Sequence, residues 1–214
     1  MEIDAIATFF RNGGTFMYII LGTFVFGAAI IVERGFILIY SYNVDGKALW
    51  SKVSKFIMDG NMDKAKDLCH GSKAPLMRIL DIGIAASNDS EKGVQNAIDE
   101  IALEMIPSVD KRIPYLLTLA NIATLLGLLG TIHGLIQSFS AVGSADPSQK
   151  ASLLAGGISL ALNTTSFGLM AAIPLLAMYS VLQAKANKII DEIDEFSVKL
   201  LNILHRYKSG IQTQ

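Results

Sequence analysis

The sequence predicts an all-α integral membrane protein with three transmembrane helices and long cytoplasmic helical extensions, and three observations carry that prediction. The 214 residues are 51% apolar with a mean hydropathy of +0.44, which leaves too little polar surface for an ordinary water-soluble domain of this size. Residues 15–32, 113–145 and 151–184 contain no Asp, Glu, Lys or Arg, and each approaches or exceeds the roughly 20 residues a helix needs to cross a hydrocarbon core of about 30 Å. The charged segments between and after them keep a helical period.

Residues 1–14 read as an amphipathic periplasmic lead-in at the membrane surface, with Ile3, Ile6, Ala7 and Phe10 on one side and Asn12, Gly13 and Gly14 as a break. Glu2 and Asp4 precede Arg11, unlike the basic start of a signal peptide, so the apolar run that follows is expected to be retained. Residues 15–42 form the first span. Glu33 and Arg34 are expected to snorkel as an adjacent-charge pair near its end, where Tyr40 and Tyr42 suit the interface.

Residues 43–112 carry ten Lys/Arg against eleven Asp/Glu and are expected to be a soluble helical domain. Leu49, Trp50, Val53, Phe56 and Ile57 make one apolar stripe behind Asp45, stopped at Asp59, Gly60 and Asn61. A second short helix carries Met62, Ala65, Leu68 and Cys69, and a third, after Pro75, carries Leu76, Ile79, Leu80 and Gly83. The fourth is expected to begin near Asn88, with Glu91 completing a capping box, and to run through Val94, Ile98, Ile101 and Met105 into the next span. Pro107 and Pro114 are expected to bend this helix rather than end it. Cys69 and His70, about 100° apart on a helix, read as a packed cysteine beside an exposed histidine.

Residues 113–145 and 151–184 flank the loop 146–150 as a helical hairpin. Thr124, Gly127, Thr131, Gly134 and Ser138 share one face of the first arm. On the second, Ser152, Gly156, Ser159, Asn163 and Ser166 mark one face, and Ala161, Thr165, Gly168 and Ala172 its neighbour. Such faces meet other helices or water rather than lipid. Thr131 lies 16 residues before Pro147 and Thr165 lies 18 after it, a depth difference of only about 3 Å at 1.5 Å per residue. Two readings stand side by side: a hydroxyl ring that solvates a proton or carboxyl group, or hydroxyls bonded to their own helix carbonyls at tight packing positions.

His133 is the only side chain of useful pKa in the hairpin. Either it relays protons, or it sits hydrogen-bonded at a helix interface and a partner supplies the ionisable group. Residues 185–214 continue the helical period through Ile189, Ile193, Phe196, Leu200 and Leu204. Their apolar seam suggests side-by-side packing of several copies. Asp191, Glu192, Asp194 and Glu195 are either solvated or form an acidic collar. Residues 43–112 and 185–214 hold fifteen Lys/Arg, against Arg11 and Lys150 alone in the first 14 residues and the loop. The positive-inside rule therefore puts the N-terminus and the loop outside and the C-terminus in the cytoplasm.

A formal net charge of -1 offers nothing to nucleic acid. The single Cys69 excludes an internal disulfide and a cysteine-based zinc site. No phosphate loop, nucleophile elbow or metal-binding motif occurs, so neither enzyme, metal nor cofactor is expected.

The run Leu125-Leu126-Gly127-Leu128-Leu129-Gly130-Thr131-Ile132-His133-Gly134 resembles the first signature helix of the MotA/TolQ/ExbB proton channel family. Leu162-Asn163-Thr164-Thr165-Ser166-Phe167-Gly168-Leu169 with Ala171, Ala172, Ile173 and Pro174 resembles the second. Asp59-Gly60-Asn61, Ala65, Leu68, Cys69, Pro75, Leu76, Arg78, Ile79, Leu80 and the Glu33-Arg34 pair are similar to the ExbB/TolQ branch. The resemblance implies a homo-pentamer in the bacterial inner membrane around an ExbD/TolR-like single-span partner that carries a membrane aspartate. Such a motor uses the proton motive force to energise an envelope process, such as TonB-dependent transport or outer-membrane maintenance, with a TonB/TolA-like protein as a further partner. It implies that Thr131 and Thr165 line the pore; from the residues themselves Thr164, Asn163, Thr124 and Ser138 are further candidates for the pathway, with His133 as a candidate relay. The branch usually has a glutamate where Leu160 stands and commonly a tryptophan where His133 stands. A non-conducting scaffold and a sodium-coupled motor subunit are the alternatives.

Overall fold

The computed structural model describes residues 9–10 and 13–211, so most of the lead-in expected over residues 1–14 lies outside the described residues. Among them every regular element is helical: α1 (Gly14–Phe36), a π turn (Ile37–Ser41), α2 (Gly46–Met58), α3 (Met62–Cys69), α4 (Pro75–Ala85), a 3-10 turn (Ala86–Asn88), α5 (Glu91–Asp110), α6 (Ile113–Gly143) and α7 (Lys150–Ile211). Among the described residues three helices are long and apolar enough to cross a membrane, within Gly14–Met58, Glu91–Gly143 and Lys150–Ser209. The protein is a multi-pass membrane protein. Its third span and the amphipathic segment after it are one uninterrupted helix, α7, with Pro174 inside.

Two compact units divide the chain, one holding the chain up to Glu33 with Arg112–Val181 and the other Arg34–Lys111 with Leu182–Gln214. In the first, α6 and α7 approach closely along a seam in which glycines of each helix receive backbone or side-chain atoms of the other. A Cβ on Gly127 would lie 3.3 Å from the Cα atoms of Gly168 and Thr165, and one on Gly168 only 2.8 Å from the Ala123 carbonyl oxygen. Gly130 faces Thr164, Gly134 faces Leu160 and Ala161, and Gly157 faces Ser138 along the same seam. Small residues hold membrane helices together because lipid offers no hydrophobic gain on association, leaving close van der Waals contact as a main attraction. Helix α1 joins at Gly27, whose missing Cβ makes room for Leu175. Phe26, Leu125 and Ile173 stand about 60% exposed (58%, 63% and 63%), as lipid-facing side chains do.

In the second unit, Asp45 caps α2 by accepting the N–H groups of Lys47 and Ala48 at 3.1 Å. Leu49, Val53 and Ile57 then turn inward together. The chain reverses at Gly60, whose φ of +75° suits glycine. Helix α4 starts at Pro75 and buries Leu76, Ile79 and Leu80, and α5 buries Val94, Ile98, Ile101, Met105 and Val109. The C-terminal part of α7 meets them with Leu182, Ala186, Ile189, Ile193, Phe196, Leu200 and Leu204, a three-to-four spacing that makes one apolar stripe. Gly83 admits Leu200, and Trp50 lies against the Phe196 ring at 5.8 Å.

Three expectations need correction. The cap of α5 is Ser90, which accepts the Gly93 N–H at 3.1 Å, because residues 86–88 are already wound as a 3-10 turn. Pro107 does lie within α5, but the helix ends at Asp110 and α6 begins anew at Ile113 with Pro114 in its first turn. Pro114 has no N–H for the Asp110 carbonyl and its ring would crowd that oxygen, and the break is made by Arg112 at φ 66°. Finally, Glu33 and Arg34 do not snorkel as a pair. Arg34 is 3% exposed and donates to the Ser108 carbonyl at 3.4 Å, whereas Glu33 receives the Arg112 guanidinium at 2.6 and 2.7 Å.

A candidate ion pathway at the α6–α7 seam

Gly127 is the hub of the polar contacts in this seam. Because it has no side chain, Thr165 of α7 comes close enough to donate its hydroxyl to the Gly127 carbonyl at 3.1 Å. Thr131, one turn further along α6, places its Oγ1 3.4 Å from that of Thr165 and donates to the Leu128 carbonyl at 2.5 Å. The two hydroxyls thus stand side by side, with a helix-to-helix bond at Thr165 and a within-helix bond at Thr131. Each hydroxyl has one proton, and both protons are committed to carbonyl oxygens. Toward any further group the pair presents oxygen lone pairs. Both threonines are half-buried in the single chain.

The other expected site residues are distributed differently. Thr164 is fully buried, facing Gly130, with its hydroxyl 3.1 Å from the Gly13 carbonyl and 2.8 Å from that of Leu160. It fastens the chain ahead of α1 to α7. Ser138 is 4% exposed and donates toward the Leu153 and Leu154 carbonyls at 3.2 and 3.4 Å. Thr124 is exposed and bonded to Ala120 of its own helix at 3.0 Å. Asn163 is half-buried. His133 is exposed, and its ring meets that of Phe16 edge-on at 5.5 Å, an aromatic contact with α1 rather than a hydrogen bond among the described residues. Of the two hydroxyl-bearing faces of α7, the one with Ala161, Gly168 and Ala172 is buried against its own chain, while Ser152, Gly156, Ser159 and Ser166 are exposed.

Sequence reasoning overlooked the Gly127 carbonyl as the acceptor that orients Thr165, and Arg112 as the partner of Glu33. The small-residue spacing around Gly127 carried the first signal, and the Ile113-Pro114 step just after Arg112 carried part of the second. Elsewhere, Cys69 is buried and its thiol is pushed up to about 11, by burial first and by the charge of Asp81 second. His70 is exposed with its Nδ1 3.1 Å from Asp81. Among the described residues no group of three or more His, Cys, Asp or Glu is placed to hold a metal ion.

Comparison with known proteins places these features. The chain is 31% identical over 71% of its length to the Tol-Pal system protein TolQ of Haemophilus influenzae, covering 66% of that protein. It is 26% identical over 86% of its length to a biopolymer transport protein ExbB homolog of Methanothermobacter thermautotrophicus, covering 65% of it. It is 39% identical over 45% of its length to the biopolymer transport protein exbB1 of Vibrio cholerae, covering 41% of it. The chain therefore spans about two thirds of the length of the first two relatives and less of the third. The family model for the MotA/TolQ/ExbB proton channel family matches residues 71–195. That stretch takes in α4, α5, α6 and α7 as far as Glu195, with both threonines of the pair, and the chain belongs to the MotA/TolQ/ExbB proton channel family as an ExbB/TolQ-like subunit.

Proposed function

We propose that this chain is the ion-conducting subunit of a bacterial inner-membrane motor driven by the proton motive force. Five copies would surround the span of an ExbD/TolR-like partner bearing a membrane aspartate, and a TonB/TolA-like protein would carry the work to an envelope process. The N-terminus and the loop 146–150 would face the periplasm, and residues 43–112 and 185–214 the cytoplasm. The observation that carries this reading is the Thr131–Thr165 pair. It offers oxygen acceptors within two apolar stretches, residues 113–145 and 151–184, that have no Asp, Glu, Lys or Arg and only His133 as a base. Acceptors of this kind suit a neutral carboxylic acid, which donates one hydrogen bond, or a hydrated proton, better than a carboxylate. The carboxyl group itself then belongs on another chain, because such groups are costly in lipid unless paired or functional.

The test is ion flux in proteoliposomes holding the chain with an ExbD/TolR-like single-span partner. Thr165→Val is expected to cut proton flux about tenfold or more, since a buried hydrogen-bonding group left without its partner costs about 1–3 kcal/mol. Thr165→Ser, which keeps the hydroxyl, is expected to conduct. Wild-type flux in Thr165→Val defeats the pore assignment, and no flux in the wild-type complex favours a scaffold. Imposing sodium and pH gradients separately distinguishes proton from sodium coupling, since hydroxyl lone pairs ligate Na⁺ as well.

A further inference from the structure

A cavity of about 460 Å³ opens in the helical unit between the α3–α4 turn, α5 and the chain that follows the π turn. Its lining combines Tyr42, Lys73, Arg78, Asp81 and Ser108. Chain connectivity places it close to the membrane. Tyr42 directly follows the turn that ends the first span, and Ser108 stands five residues before Ile113, where α6 begins.

The charges around the cavity are unevenly matched. Lys73 is exposed and has no carboxylate partner among the described residues. Arg78 is held only loosely, 3.8 Å from Glu104 and 3.9 Å from the Met105 sulfur, so most of its five donors are uncommitted. Asp81 is the complement of this. Its Oδ2 meets His70, while its Oδ1 is buried and has no hydrogen-bond partner among the described residues. Two uncommitted cations and a carboxylate side chain, all on the lining of one cavity, match a ligand that carries a phosphate and an N–H cation together.

We propose that this cavity holds the headgroup of an aminophospholipid of the phosphatidylethanolamine type. The phosphodiester sits on Lys73 and Arg78, and the primary ammonium donates to Asp81. The acyl chains lead back past Tyr42 into the adjacent leaflet, so the lipid ties the helical unit to the membrane surface. Phosphatidylcholine has the same phosphate, but its quaternary ammonium has no N–H and cannot satisfy Asp81.

The test uses the full chain in detergent, followed by thermal unfolding with added phosphatidylethanolamine, phosphatidylcholine or phosphatidylglycerol. Phosphatidylethanolamine is expected to raise the midpoint by several degrees, and more than either of the others, by mass action on the folded state. Asp81→Asn is expected to erase its advantage over phosphatidylcholine. Lys73→Gln, a change at an exposed position that leaves the fold intact, is expected to shrink the shift from every phospholipid. Equal shifts from phosphatidylethanolamine and phosphatidylcholine, or a difference that survives Asp81→Asn, overturn the proposal, as does an unchanged response in Lys73→Gln. Inorganic phosphate and tail-free glycerophosphoethanolamine form the last arm. Neither is expected to match the lipid, and an equal shift from either makes the ligand a soluble phosphate compound and overturns the lipid assignment.

Discussion

At the scale of single residues, glycine positions in the spans separate cleanly by what surrounds them. A Cβ at residue 168 would lie 2.8 Å from the Ala123 carbonyl oxygen and 3.0 Å from the Gly127 Cα, and backbone atoms cannot swing aside as a side-chain tip can. Gly168→Ala is therefore expected to push α6 and α7 apart, at the ~1–3 kcal/mol typical of overpacking, and to lengthen the Thr165–Gly127 bond that orients the threonine pair. Gly22 of α1 has nothing within 4 Å of its would-be Cβ, so Gly22→Ala is expected to leave stability unchanged or slightly raised. Thermal unfolding of the two variants side by side checks the pair. Equal midpoints would show that the seam relaxes at no cost. Spacing puts Gly168 on a small-residue face with Ala161, Thr165 and Ala172, but how near the Ala123 and Gly127 backbone stands to it is set by the packing of α6 on α7.

At the scale of elements, Arg112 joins backbone strain to an ion pair. A non-glycine residue at φ 66° costs roughly 1–2 kcal/mol against a right-handed conformation, and here the cost accompanies a close contact from one guanidinium nitrogen, Nη1, to both Glu33 carboxylate oxygens at 2.6 and 2.7 Å. The pair is partly exposed, with side chains 46% and 39% accessible, so its net value is expected near the upper end of the ~0–1 kcal/mol found for exposed ion pairs. Glu33→Gln is accordingly expected to lower the unfolding midpoint modestly. Arg112→Gly made in that background is expected to raise it again, since the strain is then relieved with little left to lose. A double-mutant cycle measures this, and a further fall on the second change would show that Arg112 has another essential role. The helices themselves were legible because periodicity depends on neighbours three and four residues apart. The stripes of α2 and α4 turn inward as their spacing predicts, whereas the seam at the end of α7, expected to pack between copies, is buried against its own chain, with Leu200 on Gly83 and Phe196 on Gly46 and Trp50. The Glu33–Arg112 contact spans 79 positions, and no local pattern announces it. The 3-10 turn at residues 86–88, which moves the cap of α5 from Asn88 to Ser90, is a matter of backbone geometry rather than pattern.

At the scale of the whole molecule, one polar face in the membrane has no cover from its own chain. Ser152, Gly156, Ser159 and Ser166 are exposed along α7, although hydroxyl faces in membranes are expected to meet protein or water. If they line an aqueous path in the assembled protein, Ser159→Cys should react with a membrane-impermeant methanethiosulfonate reagent, whereas Phe26→Cys, on the exposed apolar side of α1, should not. The native thiol does not confuse the measurement. Cys69 is buried and its pKa is pushed up to about 11, so near neutral pH almost none of it is the reactive thiolate. The unmodified chain is thus expected to give no labelling until it unfolds. Labelling at Ser159→Cys that rises when the partner is present and ions flow would connect this face to the threonine pair, less than two helical turns away. Labelling equal to that of Phe26→Cys would assign the serine face to helix packing between copies.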